Sequence, residues 1–123
     1  MNWLVVSACS GFLAVALGAF GAHGLKDYLT PKLLEIYHTA VFYHFVHTLV
    51  LLGIGFYQIG RPPLFNKSAW LFLSGLFVFS GSLYGLSLTG LTILGAITPV
   101  GGLLLLAGWA SLAWKARQIN QGS

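Results

Sequence analysis

Four histidines stand in a chain of 123 residues of which only 7% are charged, and three of them, His38, His44 and His47, lie in one apolar run between Ile36 and Ile59. An ionisable side chain inside a membrane span is costly unless it has a partner, so each such position is a site hypothesis. Counted from Ile36, His44 falls roughly 12 Å and His47 roughly 16 Å along a helix, near the middle of a bilayer. Three residues apart, they occupy neighbouring parts of one helical face, with Tyr37, Ala40 and Thr48 on the same side. His38 points half a turn away from His47. His23 ends the preceding apolar block, so His23 and His38 are both expected toward the outer surface and within reach of each other.

Several chemistries compete for such histidines. The simplest is neutral imidazoles hydrogen-bonded to hydroxyls or backbone carbonyls of neighbouring helices. Next comes a proton relay or solute path past His44, His47 and Thr98 toward Pro99. Haem ligation needs axial histidines on facing helices, whereas one helix supplies both here. A metal site lacks a companion acid, because Asp27 and Glu35 lie near the surface, so no metal or other cofactor is expected. No H-E-x-x-H and no nucleophile elbow is present, and the chain does not read as an enzyme.

The elements that must carry these residues follow from hydropathy. Hydrophobic residues make up 57% of the chain, which holds 16 glycines, far from the composition of a soluble domain. At roughly 20 apolar residues per span, residues 1–123 make one transmembrane domain with no room for a separate soluble one. An all-α integral membrane fold is expected, a compact bundle of four transmembrane helices over about 3–22, 32–58, 68–88 and 92–115. Thr30-Pro31 reads as an N-cap followed by proline at the first helical position, and Gly60-Arg61-Pro62-Pro63 as a break. Pro99, with Gly101-Gly102, should kink the fourth helix, and in lipid that kink is expected to face protein. Residues 118–123 read as a short polar tail with nothing to hold it.

Six basic residues are scattered singly rather than in a stripe, which argues against nucleic acid and for loop charges that orient spans. Arg61, Lys67, Lys115 and Arg117 fall on the side shared by both termini. Lys26 and Lys32, offset by Asp27 and Glu35, fall on the other. The positive-inside rule then makes both termini cytoplasmic. Trp3, Trp70, Trp109 and Trp114 are all expected at that same interface. The single cysteine, Cys9, excludes an intrachain disulfide, and the first apolar block reads as a retained span.

Small residues recur at helical spacing. Ser7, Gly11, Ala14, Gly18 and Ala22 share a face of the first helix, and Gly81 with Gly85 forms a small-xxx-small pair in the third, near Ser80, Ser82 and Ser87. Such faces are how membrane helices approach closely.

Four short motifs then stand in a familiar order. They are Gly18-Ala19-Phe20-Gly21-Ala22-His23-Gly24-Leu25, the run from Tyr37 to His47, Phe79-Ser80-Gly81-Ser82-Leu83-Tyr84, and the run from Leu94 to Gly102. Together they resemble the bacterial membrane family called domain of unknown function 423, related to eukaryotic transmembrane protein 256. The resemblance covers about Gly11 to Trp109 and implies a four-helix inner-membrane protein with no agreed activity. Its matched positions are Gly18, Gly21, His23, Tyr43, His44, His47, Ser80, Gly81, Tyr84, Thr98, Pro99 and Gly102.

The candidate polar interior is therefore His44, His47, His23, Tyr43, Ser80, Tyr84 and Thr98, and the packing and kink set is Gly11, Gly18, Gly21, Gly81, Gly85, Pro99 and Gly102. The function expected is a small polytopic structural or interaction component of the bacterial cytoplasmic (inner) membrane. Its partners would be the lipid bilayer and a homo-oligomer or larger membrane complex. A minimal proton- or solute-conducting channel using the intramembrane histidines is the alternative, with a haem or metal binder behind it.

Overall fold

A computed structural model describes residues 1–122. Among them the regular structure is four helices: α1 (Trp3–His23), α2 (Pro31–Tyr57), α3 (Asn66–Thr89) and α4 (Leu94–Gln121). Each is long and apolar enough to cross a membrane. The burial pattern is that of a protein whose surface faces lipid. Phe12 and Phe77 are 79% and 74% exposed, whereas His44, His47, Thr48, Ser68, Ser80 and Ser82 are buried. In hydrocarbon the interior is the only place where such polar groups find partners.

The helix ends follow local chemistry. The Asn2 side chain accepts from the backbone N–H of Leu4 and Val5 at 3.1 and 3.3 Å, capping α1. Thr30 accepts from Leu33 N–H at 3.2 Å, and Pro31 occupies the first turn of α2, where its missing N–H costs nothing. At the other end Arg61 Nη1 donates to the Tyr57 carbonyl at 2.8 Å and lies over the Tyr57 ring, answering the negative end of α2. Gly90 ends α3 in a left-handed conformation, φ 73°, with its N–H on the Leu86 carbonyl at 2.8 Å.

The helices pack in chain order, α1 on α2, α2 on α3 and, most extensively, α3 on α4; α1 does not pack along α4. The α3–α4 seam is so close that a methyl group on Gly101 would lie 2.7 Å from the Cα of Phe79, and one on Gly75 would lie 2.9 Å from the backbone nitrogen of Leu105. Backbone cannot yield as a side-chain tip can, so these positions need glycine. The α1–α2 seam is looser. Gly11 and Gly18 make ordinary contact with Thr48 and Val41, and the tight points lie at its two ends, Gly21 against the Tyr37 ring and Gly55 against Leu4.

Four differences from the sequence reading stand out. First, α4 does not stop near residue 115. Residues 118–121 are helical and Ile119 packs against the core, one face of the turn still being apolar; Ser123, the last residue of the expected polar tail, lies outside the described residues. Second, the proline turn of α4, which is continuous through Pro99, does not face protein. Pro99 is exposed rather than turned to protein, and Gly95, whose carbonyl loses its donor, is half-buried beside Leu86. Third, Gly81 is not a packing residue, since a methyl group there would meet nothing within 4 Å. Fourth, Ala22 is exposed, and the buried stripe of α1 closes on Gly21 instead.

Candidate functional site

His44 is the central residue of α2, with thirteen helical residues on each side. Its Nδ1 lies 2.9 Å from the Tyr84 hydroxyl of α3 and its Nε2 3.1 Å from Ser10 Oγ of α1. Ser10 Oγ is in turn 2.6 Å from Thr48 Oγ1, one helical turn below His44 on α2. The result is a continuous chain, Tyr84–His44–Ser10–Thr48, joining three helices at mid-depth. Around it, Tyr37 donates its hydroxyl to the Leu17 carbonyl and sets its ring edge-on to Tyr84 at 5.4 Å. Ser80 Oγ donates to the Ala40 carbonyl at 2.9 Å, where the small alanine lets α3 come close.

His47 faces elsewhere. Its Nδ1 is 2.8 Å from the Tyr43 carbonyl, which can only accept, so Nδ1 carries the proton. Nε2 is then the acceptor and takes the indole N–H of Trp109 at 3.2 Å. Phe72 and Trp109 flank the ring at centroid distances of 5.8 and 5.9 Å. One tautomer satisfies both nitrogens. His44, between two hydroxyls that can each donate or accept, suits either tautomer.

The remaining candidates separate. Thr98 lies in the α3–α4 seam, its hydroxyl 2.6 Å from Ser82 Oγ and 3.2 Å from the Leu94 carbonyl, and it joins neither histidine. His23 and His38 are exposed at the far end of the bundle, outside both networks. Tyr43 is 36% exposed; its ring rests on Phe79 at 4.4 Å and stacks on the His47 ring at 5.9 Å, while its carbonyl accepts from His47. Trp109 sits beside His47 rather than in an interfacial belt with Trp3, Trp70 and Trp114.

Ser10, Thr48 and Trp109 complete the two histidine networks without having been assigned to them from sequence. A signal for Thr48 existed, its spacing of four from His44; nothing in α1 singled out Ser10. Also unanticipated is a clasp where the chain ends of three helices meet. Trp3, 2% exposed, donates to Asn66 Oδ1 at 2.9 Å, Gln58 Nε2 donates to the same oxygen at 3.1 Å, and Gln58 Oε1 accepts Phe65 N–H at 2.8 Å. Amides on either side of a Pro-Pro loop were its only trace.

Two lateral grooves open on the surface. One, of about 370 Å³, lies between α2 and α4 beside Tyr57, Phe65, Leu112 and Ile119. The other, of about 550 Å³, separates α1 from α3 above the clasp. Val6, Leu13, Phe77 and Gly81 form its walls, and His44 and Tyr84 its polar floor. Among the described residues no three His, Cys, Asp or Glu side chains gather as a metal site, and every buried side-chain nitrogen or oxygen has a partner.

The profile described as Protein of unknown function (DUF423) matches residues 17–102. The UPF0382 membrane protein YwdK of Bacillus subtilis is 42% identical over 116 residues, 93% of this chain and 94% of its own length. A UPF0382 membrane protein of Staphylococcus epidermidis is 44% identical over 110 residues, 89% of this chain and 90% of its own. One from Schizosaccharomyces pombe is 40% identical over 116 residues, 87% and 94% of the two chains. No solved structure matches at a significant level. With four apolar helices and this identity over nearly its whole length, the chain belongs to the UPF0382 (DUF423) family of membrane proteins.

Proposed function

We propose that the protein is a non-enzymatic structural or interaction component of the bacterial cytoplasmic membrane, acting as a homo-oligomer or within a larger membrane complex. One observation carries this reading: every buried side-chain nitrogen or oxygen among the described residues has a partner, and most of these bonds cross helix seams. Ser80 holds α3 to α2, Ser82 meets Thr98 and Ser68 meets Ser111 between α3 and α4, and Trp109 holds α4 to His47 of α2. A conduit would turn such groups toward a water path. Here they serve as interhelical ties, the common use of polar groups in lipid. Cytoplasmic termini are supported by Arg61, Lys67, Lys115 and Arg117 at one end of the bundle, against Lys26 and Lys32 offset in charge by Asp27 and Glu35 at the other.

Crosslinking in native membranes, followed by purification in mild detergent, should recover the protein in an assembly larger than one chain. Proteoliposomes with an internal pH dye should show no proton flux above protein-free vesicles. A monomer in membranes, or a flux abolished by His44→Ala, would overturn the reading.

A further inference from the structure

The groove between α1 and α3 has the size of a ligand pocket and the usual composition of one, apolar walls with a few convergent polar groups. Its walls run along α1 from Val5 to Leu17 and along α3 from Leu73 to Tyr84, an elongated slot open to the bilayer. The groups on its floor have an unequal hydrogen count. With a neutral imidazole, Tyr84, His44, Ser10 and Thr48 carry one proton each, while three hydrogen bonds link them. One donor is therefore surplus whichever way the chain is oriented. In one sense the surplus donor is the Thr48 hydroxyl and in the other the Tyr84 hydroxyl in the groove, so an acceptor bound in the groove selects the sense that runs from Thr48 toward Tyr84.

Depth restricts what could accept that proton. His44 lies about 20 Å from either end of α2, and the hydrocarbon core is about 30 Å thick, so phospholipid headgroups stay well above it. The complementary ligand is neutral, dissolves in the bilayer interior, carries acceptor oxygens without donors, and trails a hydrocarbon chain. We propose that this groove binds a lipid-soluble quinone, a ring carbonyl accepting from the Tyr84 hydroxyl and the tail lying between Leu13 and Phe77. This goes beyond the structural role proposed above and does not depend on it.

Gly81 makes the test clean. It lines the groove, yet a Cβ there meets nothing within 4 Å, so Gly81→Leu extends into the slot rather than into a helix seam. Purified protein in nanodiscs would be titrated with a fully ring-substituted benzoquinone carrying a decyl chain, with diacylglycerol as the rival neutral lipid. The expected result is saturable quinone binding at one per chain, weakened at least about tenfold by Gly81→Leu and about fivefold by Tyr84→Phe, which removes one hydrogen bond. Gly81→Leu should melt as the wild type does, whereas Tyr84→Phe also breaks the His44 tie and should melt lower, so the quinone comparison rests first on Gly81→Leu. Cys9 also lines the groove, so in the unmodified protein the quinone should protect it from a membrane-permeant maleimide, a readout that needs no variant. No saturable quinone binding, quinone binding that Gly81→Leu or Tyr84→Phe leaves unchanged, or saturable binding of diacylglycerol but not the quinone would each overturn the proposal.

Discussion

Trp109 donates its indole N–H to Nε2 of His47, and that single bond ties the fourth helix to the second at mid-bundle. It works because Nδ1 is already committed as donor to the Tyr43 carbonyl, leaving Nε2 with a lone pair aimed at α4.

The first prediction concerns this pair. His47→Leu leaves the indole N–H without a partner in lipid and should destabilise the bundle by about 1–3 kcal/mol. Trp109→Phe should cost about 1 kcal/mol, and a double-mutant cycle should return a coupling of about 0.6–1.7 kcal/mol. Equilibrium unfolding in mixed micelles measures all three, and strict additivity would sink the assignment. Nitrogen-15 NMR should further show His47 as the Nδ1–H tautomer.

A second prediction contrasts two glycines. Gly101→Ala places a methyl group against the Phe79 backbone and should lower stability by about 1–3 kcal/mol, the cost of overpacking. Gly81→Ala points into open space and should stay within about 0.5 kcal/mol of wild type. Thermal melts in detergent would separate them; equal losses would mean that the α3–α4 seam is placed wrongly.

These glycines show where sequence reading stops. Spans were legible because runs of about 20 apolar residues have no other economical fate, and a cap such as Thr30-Pro31 is local chemistry. Whether a small residue marks close approach or empty space depends on a neighbour far away in sequence. Gly81 and Gly85 fitted a packing motif, yet only Gly85 meets a neighbour, Leu94, while Gly75 and Gly101, outside the motif, press on the backbone of the facing helix. His44 and His47 share a face by helical geometry, but an offset of three residues is enough to send one toward α1 and α3 and the other toward α4. Residues 118–121 were misjudged for a different reason. Hydropathy averages over a turn, and Ile119, seven residues beyond Leu112, keeps the apolar stripe going through polar text.

The clasp yields a third prediction. Asn66→Leu removes the oxygen shared by Trp3 and Gln58, leaving both donors unmatched. Loss of about 1–3 kcal/mol is expected, together with faster proteolysis near Arg61. Unchanged stability and unchanged cleavage would show that the amide network adds nothing to the packing of Trp3.

Orientation supplies the fourth. In a Cys9→Ser background, Lys67→Cys and Lys115→Cys should label with an impermeant maleimide only after the cytoplasmic face is opened. Asp27→Cys should label in intact cells. The reverse pattern would invert the topology drawn from loop charges.

Because every helix packs against the one made just before it, the bundle suits assembly during synthesis. Each span that leaves the ribosome meets a partner already in the bilayer, and no seam waits for a distant segment, the arrangement of contacts that favours rapid folding. The exceptions are the Trp3–Asn66 bond, which closes across 63 residues only when the third helix begins to emerge, and the His47–Trp109 bond, which waits 62 residues for the fourth. A nascent chain halted before Asn66 would therefore hold its first two helices as a hairpin with Trp3 unlatched. Assembly therefore closes with two long-range latches, one at the start of the third span and one within the fourth.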